Sequence, residues 1–244
     1  MKPYEVKMEI AGNTAMWTRP DTGDCPVSYP APTYSAVQGI FKSVLWGPAV
    51  EVVPFKVEIC KPLHFHGYAT NYNGPLRKSG QDGAFQFFAT VLTDVCYRMY
   101  AYVYPARNKT SLDEKAQRWD NPVPVKTGIH DFKGGAKGST PRGTPSSGTT
   151  SPGHAYAAIF ERRLKRGQWF TLPCLGWKEF VPSYVGPFRE GCGVQEDINI
   201  VLPSMLREVF PDGNSKVRFT YDQNVKIERG VLEYGIKTRS PSHD

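Results

Sequence analysis

PTYSAVQGIFKSVLWGPAV, residues Pro32 to Val50, decides how the rest of the chain is arranged. Val37, Ile40, Phe41, Val44 and Leu45 recur at spacings of three and four, the apolar stripe of an amphipathic helix. Thr33 or Ser35 can cap its start, and Gly47-Pro48 stops it. Lys42 and Ser43 fall off the stripe, and a β-run follows at once. A helix this apolar on one side must lie on a sheet, so the flanking segments are read as its strands.

Upstream, Val6, Met8 and Ile10 alternate with Glu5, Lys7 and Glu9, the pattern of a half-buried strand. Gly12 to Pro32 is turn-rich. Downstream, Val50 to Ile59 reads as a second strand with Val53, Phe55, Val57 and Ile59 inward, and Pro54 marks an edge or a bulge. His64 to Gly83 is polar, Gly-rich and basic, a long loop or projecting hairpin. Asp94 to Tyr104 is a third strand, with Val95, Tyr97, Met99, Ala101 and Val103 on one face and Arg98, Tyr100, Tyr102 and Tyr104 on the other. Tyr156 to Arg166 is a second amphipathic helix, with Tyr156, Ile159, Phe160 and Leu164 inward. Gln168 to Phe180 is read as a fourth strand broken at Pro173 and Gly176.

Strand-helix-strand-strand-helix-strand is the split βαβ order, so the fold class is α+β with a ferredoxin-like unit over residues 1–184. Residues 185–244 contain IVLPSMLREVF and KVRFTYDQNVKIERGVLEYGIKT, read as a C-terminal antiparallel β appendage. Between third strand and second helix, residues 121–153 hold Pro, Gly, Ser and Thr with Lys126, Lys133, Lys137 and Arg142 and almost nothing apolar. Such a segment buries too little to offset its ordering entropy and is expected to be a mobile basic insertion.

The chain has 244 residues, a net charge of +7 and a pI near 9.1, a moderate basic excess compatible with a nucleic-acid partner. No apolar run approaches the roughly 20 residues of a membrane span, and MKPYEVKMEI lacks a signal-peptide core, so no membrane partner is expected. Cys25, Cys60, Cys96, Cys174 and Cys192 include no CxxC pair, which fits reduced thiols and a cytoplasmic location.

Cations interleaved with aromatics are the main chemical signal. Arg19 with Trp17, Lys42 with Trp46, Lys61 with His64 and Tyr68, and then Arg77 and Lys78, are expected to gather in loops at one end of the sheet. There they would serve as phosphate contacts and stacking platforms for RNA. Solvated loop charge and ordinary core aromatics explain the same residues equally well. His64 and His66 lie on one face of an extended segment, but no further ligand is suitably spaced, so no metal is expected. FKGGAKG, residues Phe132 to Gly138, lacks Walker spacing, so no nucleotide cofactor is expected. No GxSxG and no Ser-His-Asp or Cys-His ordering appears.

Three blocks carry a family resemblance. They are WTRPDTGDCPVSYPAPTYSAVQGIFKSVLWGPAV (Trp17 to Val50), VEICKPLHF (Val57 to Phe65) and IFERRLKRGQWFTLPCLGWKEFVPSY (Ile159 to Tyr184). Together they resemble the fifth CRISPR-associated subunit of Cascade complexes in its type I-C form, a member of the RAMP superfamily. The resemblance implies a RAMP fold, RRM-like and ferredoxin-like at its N-terminus. It implies a subunit that grips the 5′ handle of the CRISPR RNA and caps one end of the Cascade backbone. The implied partners are crRNA, the backbone and large subunits and, through the basic insertion, target DNA. Members of the type I-C form also cut precursor RNA without metal, using a Tyr near the end of the first helix and a Lys-His pair before the second. Those positions read Leu45, Ala155 and Tyr156 here, and Leu and Ala transfer no protons. His154 and Tyr156 are the nearest acid-base candidates, with His130 and Lys133 in the insertion. The resemblance therefore implies an RNA-binding subunit, with metal-independent processing of pre-crRNA repeats as the alternative.

Overall fold

Thr33 starts the first helix. Its Oγ1 accepts a hydrogen bond from Ala36 N (3.2 Å), and its extended backbone (φ −75°, ψ 161°) leads the chain in. The computed structural model describes residues 4–72, 85–105, 152–210 and 217–235. The helix, α1, spans Tyr34–Val44 and buries Tyr34, Val37, Ile40, Phe41, Ser43 and Val44. Ser43 is inward, contrary to the stripe reading, because its Oγ donates to Ile40 O at 2.6 Å and needs no water.

Eight strands and a second helix complete the described fold. The strands are β1 (Tyr4–Ala15), β2 (Val50–Ile59), β3 (His64–Tyr72), β4 (Phe85–Pro105), β5 (Tyr184–Gly186), β6 (Ile200–Glu208), β7 (Thr220–Glu228) and β8 (Val231–Glu233). The helix α2 spans Pro152–Arg166. The strands form one sheet in the order β5-β1-β4-β2-β8-β7-β6, with β3 paired to β4 off this path, and every strand pairing is antiparallel. β4 serves three partners. Along one edge it pairs with β3 through Thr93 and then with β2 from Tyr97, while β1 pairs along its other edge from Leu92 to Val103. The switch falls at Asp94, whose φ of 52° is a left-handed value that Asp tolerates better than most residues.

Both helices pack on one face. Val6, Met8 and Ile10 of β1, Val57 and Ile59 of β2, and Tyr97, Met99, Ala101 and Val103 of β4 are buried with Val37, Phe41 and Val44 of α1 and Phe160 and Leu164 of α2. The Phe41 and Phe160 rings meet at 5.5 Å. Each such side chain contributes about 1.5–3 kcal/mol by burial. Trp17 joins this core, its Nε1 donating to Tyr97 Oη at 3.1 Å. The C-terminal strands extend the same sheet through β8 on β2. They reach α1 through Tyr234, whose buried hydroxyl donates to Pro32 O at 2.5 Å.

Several readings change. Val53 and Phe55 lie on the outer face, because the β2–β4 register shifts between Pro54 and Lys56 and the extra residue reverses the alternation. Glu9 is fully buried, because Arg189 and Arg98 arrive to pair with it. Ile159 stays exposed on α2 while Tyr156, Phe160 and Leu164 carry the contact. Gln168 to Phe180 is irregular, and the strand against β1 is the short β5 that follows it. The region from His64, read as a long loop or projecting hairpin, holds β3 paired antiparallel with the first part of β4, which begins at Phe85 rather than Asp94. Among the described residues no helix is long and apolar enough to cross a membrane.

Candidate nucleic-acid interface

The cations singled out in the sequence fall at two ends of the sheet. α1 runs antiparallel to β1 and β2: Gln38 Nε2 reaches Val52 O at 2.9 Å, while Tyr234 beside Tyr34 is bonded to Phe55 O. The end of α1, with Lys42 and Trp46, therefore lies where β1 and β2 begin, and Arg19 and Lys61 lie where they finish. Arg77, Lys78, His130, Lys133 and all of the insertion before Pro152 are outside the described residues.

At the far end, Arg19 is engaged. It forms a two-pronged pair with Asp21 (2.7 and 3.1 Å) and lies over the Tyr29 ring, and the hydrogen bond it donates to Asp21 raises its pKa. Lys61 pairs with Asp94 at the β4 switch. Both pairs are exposed, so solvent screens them and phosphate can displace the carboxylate at small cost.

The other end presents flat surface and unpaired charge together. Trp46, just past the α1 cap, is 52% exposed and stacks on Phe170, 56% exposed, with centroids 6.0 Å apart. Phe170 is held there by its backbone N–H, which donates to Ser43 O (2.8 Å) and Val44 O (3.2 Å), the free carbonyls of the last helical turn. Arg163 Nη1 donates to Val44 O at 3.2 Å. The neighbouring Arg162, Lys165 and Arg166 are exposed and form no ion pair among the described residues. Lys42, half-buried on α1, donates to Gln38 Oε1 at 2.9 Å, and desolvation lowers its pKa. Phe170 carried no signal of its own in the sequence, because its partner lies more than a hundred residues away.

The same end brings together the positions implied for acid-base chemistry. Tyr156 is buried, its hydroxyl donating to Leu45 O at 2.6 Å, and burial pushes its pKa up, so it holds its proton. His154 is exposed, its ring edge-on to Tyr4 at 5.5 Å. Two residues apart on a helix, the two side chains leave in different directions. Tyr156 is thus occupied as a strut between α2 and α1, and His154 stands on the surface.

The outer sheet face carries a second aromatic set. Phe55 stacks on Tyr102 at 4.2 Å, Lys56 lies 4.0 Å over Tyr100, and Arg98 lies 4.8 Å over Phe188. Tyr100 donates to Glu58 at 2.9 Å and Lys56 bonds the same carboxylate. These groups satisfy one another, which makes the Trp46–Phe170 end the more available platform.

Comparison with known proteins accounts for this layout. The family described as "CRISPR-associated protein (Cas_Cas5)" matches residues 5–123, from β1 through β4. The CRISPR pre-crRNA endoribonuclease Cas5d of Mannheimia succiniciproducens is 25% identical over 93% of this chain and 93% of its own length. The protein of the same name from Thermus thermophilus is 29% identical over 82% of this chain and 71% of its own. The crystal structure of a CRISPR-associated protein shares the fold, with a TM-score of 0.61 and 17% identity over 98% of this chain and 96% of that one. With the family match across the central strands and two relatives aligned over most of their lengths, the chain is similar to the Cas5-type CRISPR-associated proteins.

Proposed function

We propose that this chain is the RNA-binding subunit of a type I CRISPR Cascade complex that holds the 5′ handle of the crRNA and caps the backbone in the cytoplasm. The observation that carries the reading is the exposed Trp46–Phe170 stack at the sheet end where α2 also carries exposed Arg162, Lys165 and Arg166, which form no ion pair among the described residues. Splayed bases stack on such rings while cations hold the phosphates. The strand order β5-β1-β4-β2 with α1 and α2 on one face supports a ferredoxin-like, RAMP-type unit over residues 1–184. Residues 185–244 then act as an appendage that enlarges the sheet. Backbone and large subunits are the protein partners of this reading, and the basic insertion is its contact with target DNA.

A native gel with labelled repeat RNA tests it. The protein retards repeat RNA, leaves it intact, and prefers it to unrelated RNA at physiological salt. Equal affinity for both RNAs refutes handle recognition and leaves a sequence-blind basic adaptor.

The second reading is metal-independent cleavage of pre-crRNA repeats, favoured by the two relatives that are named pre-crRNA endoribonucleases. Its candidate acid-base group here is the exposed His154. A single cut in chelator-treated buffer, lost in His154→Ala, establishes cleavage in place of binding alone.

A further inference from the structure

Three cysteines that are far apart in the chain meet on the sheet face opposite the helices. Cys60 follows β2, Cys96 lies on β4, and Cys192 sits between β5 and β6. Their Sγ atoms all lie within 4.8 Å of one another, with Cys96 and Cys192 3.1 Å apart. We propose that Cys60, Cys96 and Cys192 form a thiolate site for one Zn²⁺ ion, with a solvent-facing fourth position. Metal–sulfur bonds of about 2.3 Å place the sulfurs of a tetrahedral site about 3.8 Å apart. One sulfur pair is at 3.1 Å and the others lie within 4.8 Å, so the site closes with shifts of well under a side-chain length.

The frame around the thiols is fixed. Cys60 N donates to Cys96 O at 2.9 Å, and Gln195 N donates to Ile59 O at 2.9 Å, which ties the Cys192 segment to the end of β2. The buried Glu9 accepts from Arg189 N (3.0 Å) and Arg189 Nε (2.6 Å), pinning the same segment to β1. Charge balances as well. Three thiolates and the Glu9 carboxylate carry four negative charges. The Arg98 and Arg189 guanidiniums beside them, with a divalent ion, carry four positive ones. Tyr184, under the Arg189 guanidinium, and Tyr100, bonded to Glu58 and within electrostatic reach of Cys60, are titratable neighbours that keep their protons. Without the ion, hydrogen bonding and burial push the Cys96 thiol up, and burial pushes Cys192 up to about 11, so these two keep their protons. Zn²⁺ would displace those protons and bind more tightly as pH rises. Cys192 is partly exposed between Gly191 and Gly193, which gives the ion an entry path.

The site is independent of RNA binding, and its role is to lock the segment between β5 and β6 onto the sheet. The test uses the reduced full-length chain, stripped with chelator and reloaded with Zn²⁺ or with Cd²⁺ as a spectroscopic probe. One ion per chain is retained through gel filtration, a thiolate-to-Cd²⁺ charge-transfer band appears, and the thermal midpoint rises on loading. Cys192→Ser and Cys60→Ala abolish retention, while Cys25→Ser, at an exposed distant thiol, keeps it. Folded wild type that retains no ion overturns the proposal, as does retention undiminished in Cys192→Ser. Recovery of a Cys96–Cys192 disulfide in place of bound ion also overturns it.

Discussion

Tyr156→Phe separates a structural hydroxyl from a reacting one. The side chain is 6% exposed, and its only removable feature is the hydrogen bond to Leu45 O at 2.6 Å. The ring's packing on Phe160, at 6.2 Å, survives the change. A net hydrogen bond contributes about 1 kcal/mol, and a carbonyl stranded without a partner raises the loss to about 3 kcal/mol. Leu45 is only half-buried, so water can reach its carbonyl and the loss sits near the lower end, about 1–2 kcal/mol. For a chain of this size each kcal/mol lowers the thermal midpoint by about 2–4 °C, so the variant melts about 2–8 °C lower. Circular dichroism melts measure this, and the same preparations are assayed with labelled repeat RNA in chelator-treated buffer. The variant loses stability with unchanged RNA affinity and an unchanged cleavage pattern. An unshifted midpoint together with lost cleavage or binding refutes the reasoning and returns Tyr156 to the chemistry.

Trp46→Ala or Phe170→Ala weakens repeat-RNA binding about 5- to 150-fold without unfolding the chain, the loss of about 1–3 kcal/mol per stacked base, read by titrated gel shift. Glu9→Ala strands two guanidiniums beside a buried site and costs about 3–5 kcal/mol in urea unfolding; a loss below about 1 kcal/mol would show that the pairs are already solvated. Gly176→Ala costs about 3 kcal/mol, because φ is +94° and an added Cβ would sit 1.8 Å from Met16 O; a soluble, unshifted variant refutes that packing. Burial pushes the Tyr34 pKa up to about 12 and raises Tyr97, Tyr156 and Tyr234 as well. The unfolded chain releases these protons from about pH 10 while the folded one keeps them, so stability is full below about pH 10 and falls as pH rises beyond it. A urea midpoint that stays level between about pH 10 and 11.5 contradicts this.

The helix α1 was legible because its contacts repeat with its own period and its cap is a local hydrogen bond from Thr33. The central part of β4 was legible for the same reason, in a period of two. Misreadings arose where a distant partner overrides a local pattern. Alternation put Glu9 in water because its counterion, Arg189, lies 180 residues on. At Phe55 a single extra residue reversed the alternation, although Pro54 had marked the place. β5 is three residues long, too short for periodicity, and is a strand only because β1 lies beside it. At the site, Trp46 was found from its basic neighbours, whereas Phe170 and the thiol cluster became visible only when the chain closed. Lys42 and Arg19 were expected at one end of the sheet, and the antiparallel run of α1 parts them.

The order of the sheet has a consequence for synthesis. β1 leaves the ribosome before the other described strands, yet one of its neighbours is Tyr184–Gly186, and β2 waits for Val231–Glu233. Nascent chains therefore carry two unsatisfied strand borders through most of translation. Local helices form quickly, but pairings of such sequence separation are slow and leave intermediates prone to aggregation. Chaperone cover during translation, or co-expression with a partner that shields those borders, will decide the soluble yield more than the strength of the finished core.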